Sequence, residues 1–356
     1  MEGSSRMAKM AGRVAVVVVV LLTAIAIWQT RGTGPDLSRV AVVRSPEGIM
    51  GTTCTLVAVV PRGREAHAQR GLDAAEQALR EVDALMSTYL ESSEISAVNR
   101  AAADELVSVS EELASVLVYS RDVWRASDGA FDATCRPMIE LWRRAGREGS
   151  LPADAEMDAA RESSSWKDFE LLDNGVRKAK DTARLDLGGV AKGFGIDRAF
   201  EAIRAAGCDG VLVDVGGDVR VDGVDARGEA WKITVRNPFG PKPLAAFGLA
   251  AGSVCTSGDY ERFVEIDGVR HSHIIDPRTG RPAGSVPSVT VVATDAMTAD
   301  AWATALGVLG AEGLDRLPTG VEALLVEGDE RSCRMITNRE MERRLGEFGK
   351  PPCSEQ

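Results

Sequence analysis

The sequence predicts an α+β fold in which mixed, largely antiparallel sheets pack with helices, preceded by an N-terminal hydrophobic segment. Three observations lead there. Apolar residues recur at helical spacing in two stretches of the first half. The second half carries short apolar or alternating runs bounded by Gly, Asp, Asn and Pro. Those runs follow one another at hairpin-like spacings, in irregular alternation with helices. This pattern favours a mixed sandwich over a doubly wound parallel sheet. A chain of 356 residues has room for two compact lobes or one large domain.

The first element is an export or anchoring segment. Arg6, Lys9 and Arg13 precede an unbroken apolar run from Val14 to Leu22, which continues almost wholly apolar to Trp28. A basic start before an apolar core reads as a signal peptide or a signal anchor over residues 1–29. Val14 to Trp28 is shorter than the roughly 20 residues that span a bilayer as a straight helix, and Ala24-Ile25-Ala26 suits a signal peptidase. Trp28 instead suits an interfacial anchor, with the basic residues holding the start inside. No cysteine lies in the first 50 residues, so a lipid-modified N-terminal cysteine is excluded. Residues 30–47, with Gly32, Gly34, Pro35 and Pro46, read as a linker. The folded domain is expected over 48–345 and a tail over 346–356. The body is expected in the bacterial cell envelope, extracytoplasmic, and either anchored to the inner membrane or periplasmic.

Within the domain, Cys54 to Val60 reads as a strand ended by Pro61-Arg62-Gly63. Leu72, Ala75, Leu79, Val82 and Met86 mark one amphipathic helix. Ser93 to Asn99 reads as polar and turn-like. Ser110 caps a second helix with Leu113, Val116, Leu117 and Val123 buried, stopped at Asp128-Gly129. Residues 143–165 read as surface helix and loop. Strands are expected at Val211–Val215, Val219–Val224, Trp231–Val235, around Ser253–Tyr260, and at Val289–Ala293. Strand alternation would set His271 and His273 on one face. Asp295 is the expected N-cap of the helix that carries Asp300 and Thr304.

Between the halves lies Leu185-Asp186-Leu187-Gly188-Gly189-Val190-Ala191-Lys192-Gly193-Phe194-Gly195, followed by an expected helix from Ile196 to Ile203. Adjacent glycines let backbone N–H groups approach a ligand, and a lysine near a helix N-terminus adds positive charge. These are parts of a phosphate cradle, although a Gly-rich turn with a solvated lysine is equally open on the motif alone. The spacing matches neither the Walker A loop nor the dinucleotide fingerprint.

Composition narrows the chemistry. Net charge is −11 with no basic block in the body, which argues against nucleic acid as a partner. Six single cysteines without a C-x-x-C and three histidines leave oxygen donors for any metal, which points to magnesium or calcium. Asp300 and Thr304, one helical turn apart, present two oxygens on one face. His273 beside Asp276-Pro277 has a free pKa near neutrality, suited to a general base. Each has an ordinary structural alternative: a surface pair without a ligand, and a strand histidine satisfied by hydrogen bonds.

In combination these signals resemble the ApbE family of FAD:protein FMN transferases, over roughly residues 48–340. The resemblance is carried in order by Met50-Gly51-Thr52, Met86-Ser87-Thr88-Tyr89 with Ser96-Ala97-Val98-Asn99, and Asp128-Gly129-Ala130-Phe131-Asp132-Ala133-Thr134. Asp186 to Gly193 and Val213-Asp214-Val215-Gly216-Gly217-Asp218 follow. Thr256-Ser257-Gly258-Asp259-Tyr260, His273 to Gly280, and Ala299-Asp300-Ala301-Trp302-Ala303-Thr304-Ala305 complete it. Cys255 departs from the small apolar residue common before Thr256 in the family. Its pairing and that of Cys54 are left open by sequence.

The resemblance implies an ApbE-like fold and Mg2+-dependent transfer of the FMN moiety of FAD to a threonine or serine hydroxyl of a target flavoprotein, with AMP released. It implies Ala191 (through its carbonyl), Asp300 and Thr304 as metal ligands, with Lys192 at the pyrophosphate and His273 activating the acceptor. Met50, Gly51 and Tyr89 would line the adenine side, with Asp186, Gly188, Gly189, Thr256 and Asp259 around the cofactor. Targets suggested by the family are subunits of RNF- or Na+-pumping redox complexes, or an exported FMN-binding domain. Two alternatives remain at this level. One is a Mg2+-dependent FAD pyrophosphatase giving FMN and AMP. The other is a non-catalytic, membrane-tethered FAD-binding protein.

Overall fold

The computed structural model describes residues 38–258, 263–284 and 286–345. The expected N-terminal segment over 1–29, the tail over 346–356 and Asp259 lie outside these residues. Among the described residues no helix is long and apolar enough to cross a membrane.

In chain order the first half comprises β1 (Arg39–Arg44), β2 (Cys54–Pro61), α1 (Glu65–Met86), α2 (Glu94–Arg100), β3 (Leu106–Val107) and α3 (Glu111–Ala126). Then come α4 (Arg136–Glu148), α5 (Asp154–Glu162), β4 (Phe169–Leu172), β5 (Gly175–Lys178) and α6 (Ala191–Ala205). The second half adds β6 (Gly210–Val215), β7 (Asp218–Gly223), β8 (Trp231–Val235), β9 (Ala245–Leu249), β10 (Ala251–Gly258), β11 (Phe263–Ile266) and β12 (Val269–Ser272). It closes with β13 (Ile275–Asp276), β14 (Arg281–Pro282), β15 (Ser288–Ala293), α7 (Ala296–Leu309), β16 (Glu322–Gly328), β17 (Cys333–Thr337) and α8 (Arg339–Leu345).

One eight-stranded sheet organises the body, in the order β1-β2-β6-β7-β10-β15-β16-β17. Every neighbouring pair in it is antiparallel. Both faces are covered. On one, Leu56, Ala58, Val213, Cys255 and Val291 meet the apolar stripes of α1, α6 and α7. On the other, Val59, Val221, Val254, Val292 and Leu324 meet the β8–β9 hairpin through Trp231, Ile233 and Phe247, and α8 through Met341. A central strand covered on both faces is apolar at most positions, and β15 is buried at all six. Each aliphatic side chain so buried contributes about 1.5–3 kcal/mol before entropy is counted.

Local chemistry explains the elements. In α1 the expected stripe of Leu72, Ala75, Leu79, Val82 and Met86 is buried. Its Gly71 lets the α6 backbone come close: a Cβ there would stand 2.9 Å from Ala206 Cβ and 3.3 Å from Ile203 Cα. Ser110 caps α3 by accepting from Leu113 N at 3.2 Å.

Four expectations are corrected. The linker read over 30–47 holds β1 in its second half: between the flanking Gly and Pro signals, Val40 and Val42 pack against the core, and Arg39–Arg44 pairs with β2. Ser93–Asn99 is the N-cap and most of helix α2, not a turn, because the Ser93 hydroxyl accepts from Ser96 N while Ile95 and Val98 are buried. The helix after the glycine turn starts at Ala191, five residues before the expected Ile196, because its first-turn glycines sit in tight contacts and not at a break. Strand β12 ends at Ser272, so His271 and His273 do not share a strand face. His271 stacks obliquely on Trp142, ring centroids 5.3 Å apart, whereas His273 lies exposed in the bend that follows.

Candidate active site

The site is built where α6 starts beside the N-terminal half of α7. Leu185 is held ahead of the turn by Asn99, which accepts from Leu185 N at 2.7 Å and donates to its carbonyl at 2.9 Å. Asp186 then ties the turn down. Its Oδ1 accepts from Gly188 N at 2.9 Å, its Oδ2 from Arg136 at 3.0 Å, and its own N–H donates to Ala133 O at 2.8 Å. Asp186 is thus a scaffold of the cradle.

The glycines are required by the protein's own packing. A Cβ on Gly189 would stand 2.9 Å from Thr304 Oγ1 and 3.2 Å from the Phe131 ring. A Cβ on Gly193 would stand 2.3 Å from the Ala296 carbonyl oxygen. Glycine in a helix interior is unfavourable by about 1 kcal/mol relative to alanine. Here that loss permits the first turn of α6 to touch the first turn of α7. Gly195 in turn meets Met50, whose Cε would be 2.7 Å from an added Cβ.

Met50 and Gly51 form a tight turn ahead of β2, with φ of 48° and 67°. The first is a left-handed conformation that a non-glycine residue holds only under outside constraint. The Met50 N–H donates to Asp83 at 3.4 Å, and its side chain packs on the core against α6.

Charge at the site centres on Lys192, the second residue of α6. Its ammonium is ion-paired with Asp218, which is 2% exposed at the start of β7. The other Asp218 oxygen accepts from Thr256 N at 2.8 Å, and the Thr256 hydroxyl is 2.9 Å from that of Thr290. On α7, Asp300 is 3% exposed, and its Oδ2 accepts from Gly193 N at 2.9 Å. Burial pushes the Asp300 carboxyl above its ordinary range, opposed by the Lys192 charge and the Gly193 N–H. Burial likewise raises Asp214, opposed by Gly217 N–H and then by Lys192. One lysine therefore serves a cluster of carboxylates from β6, β7 and α7. Three N–H donors on a flexible stem allow it to serve a phosphate oxygen as well.

The structure thus brings together Lys192, Asp300, Thr304, Gly189, Thr256 and, through α6, Met50 and Ala191. It does so neither for Tyr89 nor for His273 through any described contact. Tyr89 is 75% exposed beyond α1, with the Arg143 guanidinium 5.5 Å above its ring. His273 sits between the β11–β12 hairpin and the Asp276 turn, where Asp276 accepts from Arg278 N at 2.9 Å.

For a metal, the donor set offered by Asp300, Thr304 and the Ala191 carbonyl is all oxygen, with one buried carboxylate in need of positive charge. That chemistry fits a hard divalent cation such as Mg2+ that also takes substrate oxygens and water. Among the described residues no group of three His, Cys, Asp or Glu side chains could hold a metal. Cys54, Cys135, Cys208 and Cys255 are free thiols among the described residues and belong to no metal-binding group. Burial holds the Cys54 thiol up at about 12 and that of Cys255 well above its ordinary value.

Two carboxylates escape a reading by motif. Asp218 closes a Gly-Gly-Asp run, and Asp197 falls inside the helix expected from Ile196 to Ile203. Both carry a signal in hindsight. Asp197 follows Gly193 by four and precedes Phe200 by three, which sets it beside the buried stripe of α6. A carboxylate there needs partners.

Comparison with known proteins gives the family. Residues 50–325 match the ApbE family. The chain is 34% identical over 242 residues to the FAD:protein FMN transferase of Vibrio cholerae, covering 67% of this chain and 72% of that one. It is 33% identical over 318 residues to that of Treponema pallidum, covering 83% and 87%. The crystallised flavin transferase ApbE from Vibrio cholerae superposes with a TM-score of 0.76 at 28% identity, over 86% of this chain and 100% of that one. The ApbE protein from Thermotoga maritima gives 0.76 at 29%, with the same coverage. The family match takes in the glycine turn, α6, α7 and the strands that carry Asp218 and Thr256, and on that evidence the chain belongs to the ApbE family.

Proposed function

We propose that this chain is a Mg2+-dependent FAD:protein FMN transferase, moving the FMN moiety of FAD to a threonine or serine hydroxyl of a target flavoprotein and releasing AMP. The observation that carries this reading is the junction of α6 and α7. There a helix N-terminus bearing Lys192 donates from Gly193 N to Asp300, and Thr304 packs against Gly189 of the turn. The relatives' names supply the flavin and the protein acceptor as substrates.

In the reaction, the acceptor oxygen forms a bond to the FMN-side phosphorus while the bond from that phosphorus to the bridging oxygen breaks, and AMP leaves. Magnesium held by Asp300, Thr304 and the Ala191 carbonyl would supply Lewis-acid stabilisation of the phosphoryl oxygens. Lys192 and the positive end of the α6 dipole hold negative charge at the pyrophosphate as pre-positioned electrostatics. Asp218 keeps Lys192 extended toward β7. His273 takes the proton of the acceptor hydroxyl, a contribution of about 10²- to 10⁴-fold. Its exposed place in a bend suits a base that must meet a second protein.

The deciding experiment incubates the full chain with FAD, Mg2+ and candidate acceptor domains, read by intact-protein mass spectrometry. A gain of one FMN on a threonine-bearing peptide is expected. Free FMN with AMP and no adduct would make the chain a pyrophosphatase. FAD that stays intact would make it a binding protein. We also place the body on the extracytoplasmic side of the membrane, on the strength of the basic and then apolar start. An alkaline phosphatase fusion after residue 47 should be active, and an inactive, stably expressed fusion would refute that placement.

A further inference from the structure

Helix α7 has two carboxylates at its N-terminus, and only one belongs to it. Asp295, its own N-cap, accepts from Thr298 N at 2.8 Å. Asp197 of α6 takes the two N–H groups that Asp295 leaves: Oδ1 accepts from Ala296 N at 2.8 Å and Oδ2 from Met297 N at 2.9 Å. Arg220 of β7 donates to the same Oδ1 at 2.7 Å. Asp300 of α7 reaches the opposite way, accepting from Gly193 N of α6 at 2.9 Å. The two helices are therefore stapled by carboxylates crossing in opposite senses, at a contact that only Gly193 makes close enough.

Water satisfies orphan N–H groups at many helix starts, so a bidentate carboxylate from a neighbouring helix is not needed for α7 to form. What it adds is register. Asp300 lies one turn beyond Ala296 and Thr304 one turn further, while Ala191 and Lys192 lie on the same rigid helix as Asp197. We propose that Asp197 is a positioning residue for the transferase site, a brace that sets α7 against α6 and so holds Asp300 and Thr304 against the glycine turn and the first turn of α6. Its consequence for metal binding rests on the function proposed above; its geometry does not.

The test compares Asp197→Asn with Asp295→Ala in the full chain. Both weaken the α7 cap, but only the first touches the α6–α7 register. In metal-free protein, hydrogen exchange across residues 191–195 should accelerate at least tenfold in Asp197→Asn and stay unchanged in Asp295→Ala. Calorimetric Mg2+ affinity should fall about 10- to 100-fold in Asp197→Asn, the usual loss for an outer partner, and by less than twofold in Asp295→Ala. Unchanged exchange in a folded Asp197→Asn protein, or equal effects of the two variants, would overturn the brace. A parent protein with no Mg2+ affinity would instead overturn the metal assignment, and the exchange result alone would decide the brace. Should Asp197→Asn fail to fold, Asp197→Glu keeps both acceptors and the Arg220 pair while adding one methylene, and the same readouts apply.

Discussion

Replacing Gly193 with alanine tests whether the close contact of α6 with α7 is what makes the site. The added Cβ would stand 2.3 Å from Ala296 O, 2.6 Å from its carbonyl carbon and 2.7 Å from Met297 Cα. All three are backbone, so no side chain can rotate away. Ordinary contact begins near 3.4 Å, so the helices must part by about 1.1 Å. Alanine returns about 1 kcal/mol of helix propensity, and overpacking of this kind costs about 1–3 kcal/mol. The net loss of stability is therefore small, about 0–2 kcal/mol. The loss of function is not. Parting the helices stretches the Gly193 N to Asp300 bond from 2.9 Å to beyond hydrogen-bond range, and a displacement of about 1 Å at reacting groups costs about 100-fold in rate. The assay is FMN transfer to an acceptor under single-turnover conditions, alongside a thermal melt. A Gly193→Ala protein that folds and turns over within threefold of the parent would refute the reasoning.

Other expectations follow from the same geometry. Lys192→Met should remove activity and destabilise the fold by about 3 kcal/mol, because it strands the buried Asp218; Lys192→Met with Asp218→Asn should regain stability but not activity, measured by denaturant unfolding and transfer rate. Asp300→Asn should abolish Mg2+ uptake by calorimetry, and unchanged affinity would remove Asp300 from the ligand set. Near-normal flavinylation in His273→Ala would remove that histidine as base. Burial raises the Asp132 carboxyl from 3.8 to about 6. Its share of stability is thus full below pH 4 and lost as pH rises through about 6. Both Thr134 donors bind its Oδ1, so Asp132→Asn can keep them. The variant should be more stable than the parent at pH 8, by about 3 kcal/mol at most, and alike at pH 3.5 by urea titration.

Legibility in the sequence followed the range of the interactions. Helices α1 and α3 are written in their own periodicity, and β8 is bounded by its own turn residues, so each was readable locally. Segment β1 was not, since six residues between glycines and prolines become a strand only when β2 is beside them. Nor was the start of α6, where glycine reads as a helix breaker until the Ala296 carbonyl and Met50 are seen filling the space. Pairing Asp300 with Thr304 needed only a helical turn of spacing. The partners of Asp218 and Asp197 lie 38 and about 100 residues away, at Thr256 and at Ala296 and Met297, and no local pattern announces them. The role of Tyr89 rests on resemblance alone, whereas His273 was legible as a base by residue type beside Asp276-Pro277, with no local pattern to say what it would act on.

Strand β1 has a practical side. It ends at Arg44, before the family match begins at residue 50, yet it covers the outer edge of β2 from Leu56 to Pro61. A chain cut at the family boundary would leave that edge bare. Its sequence, Leu-Val-Ala-Val-Val, has no charge and no proline until Pro61, and unpaired strands of that kind recruit copies of themselves. A protein prepared for crystallisation or assay should therefore begin no later than Ser38, so that the edge of β2 stays paired.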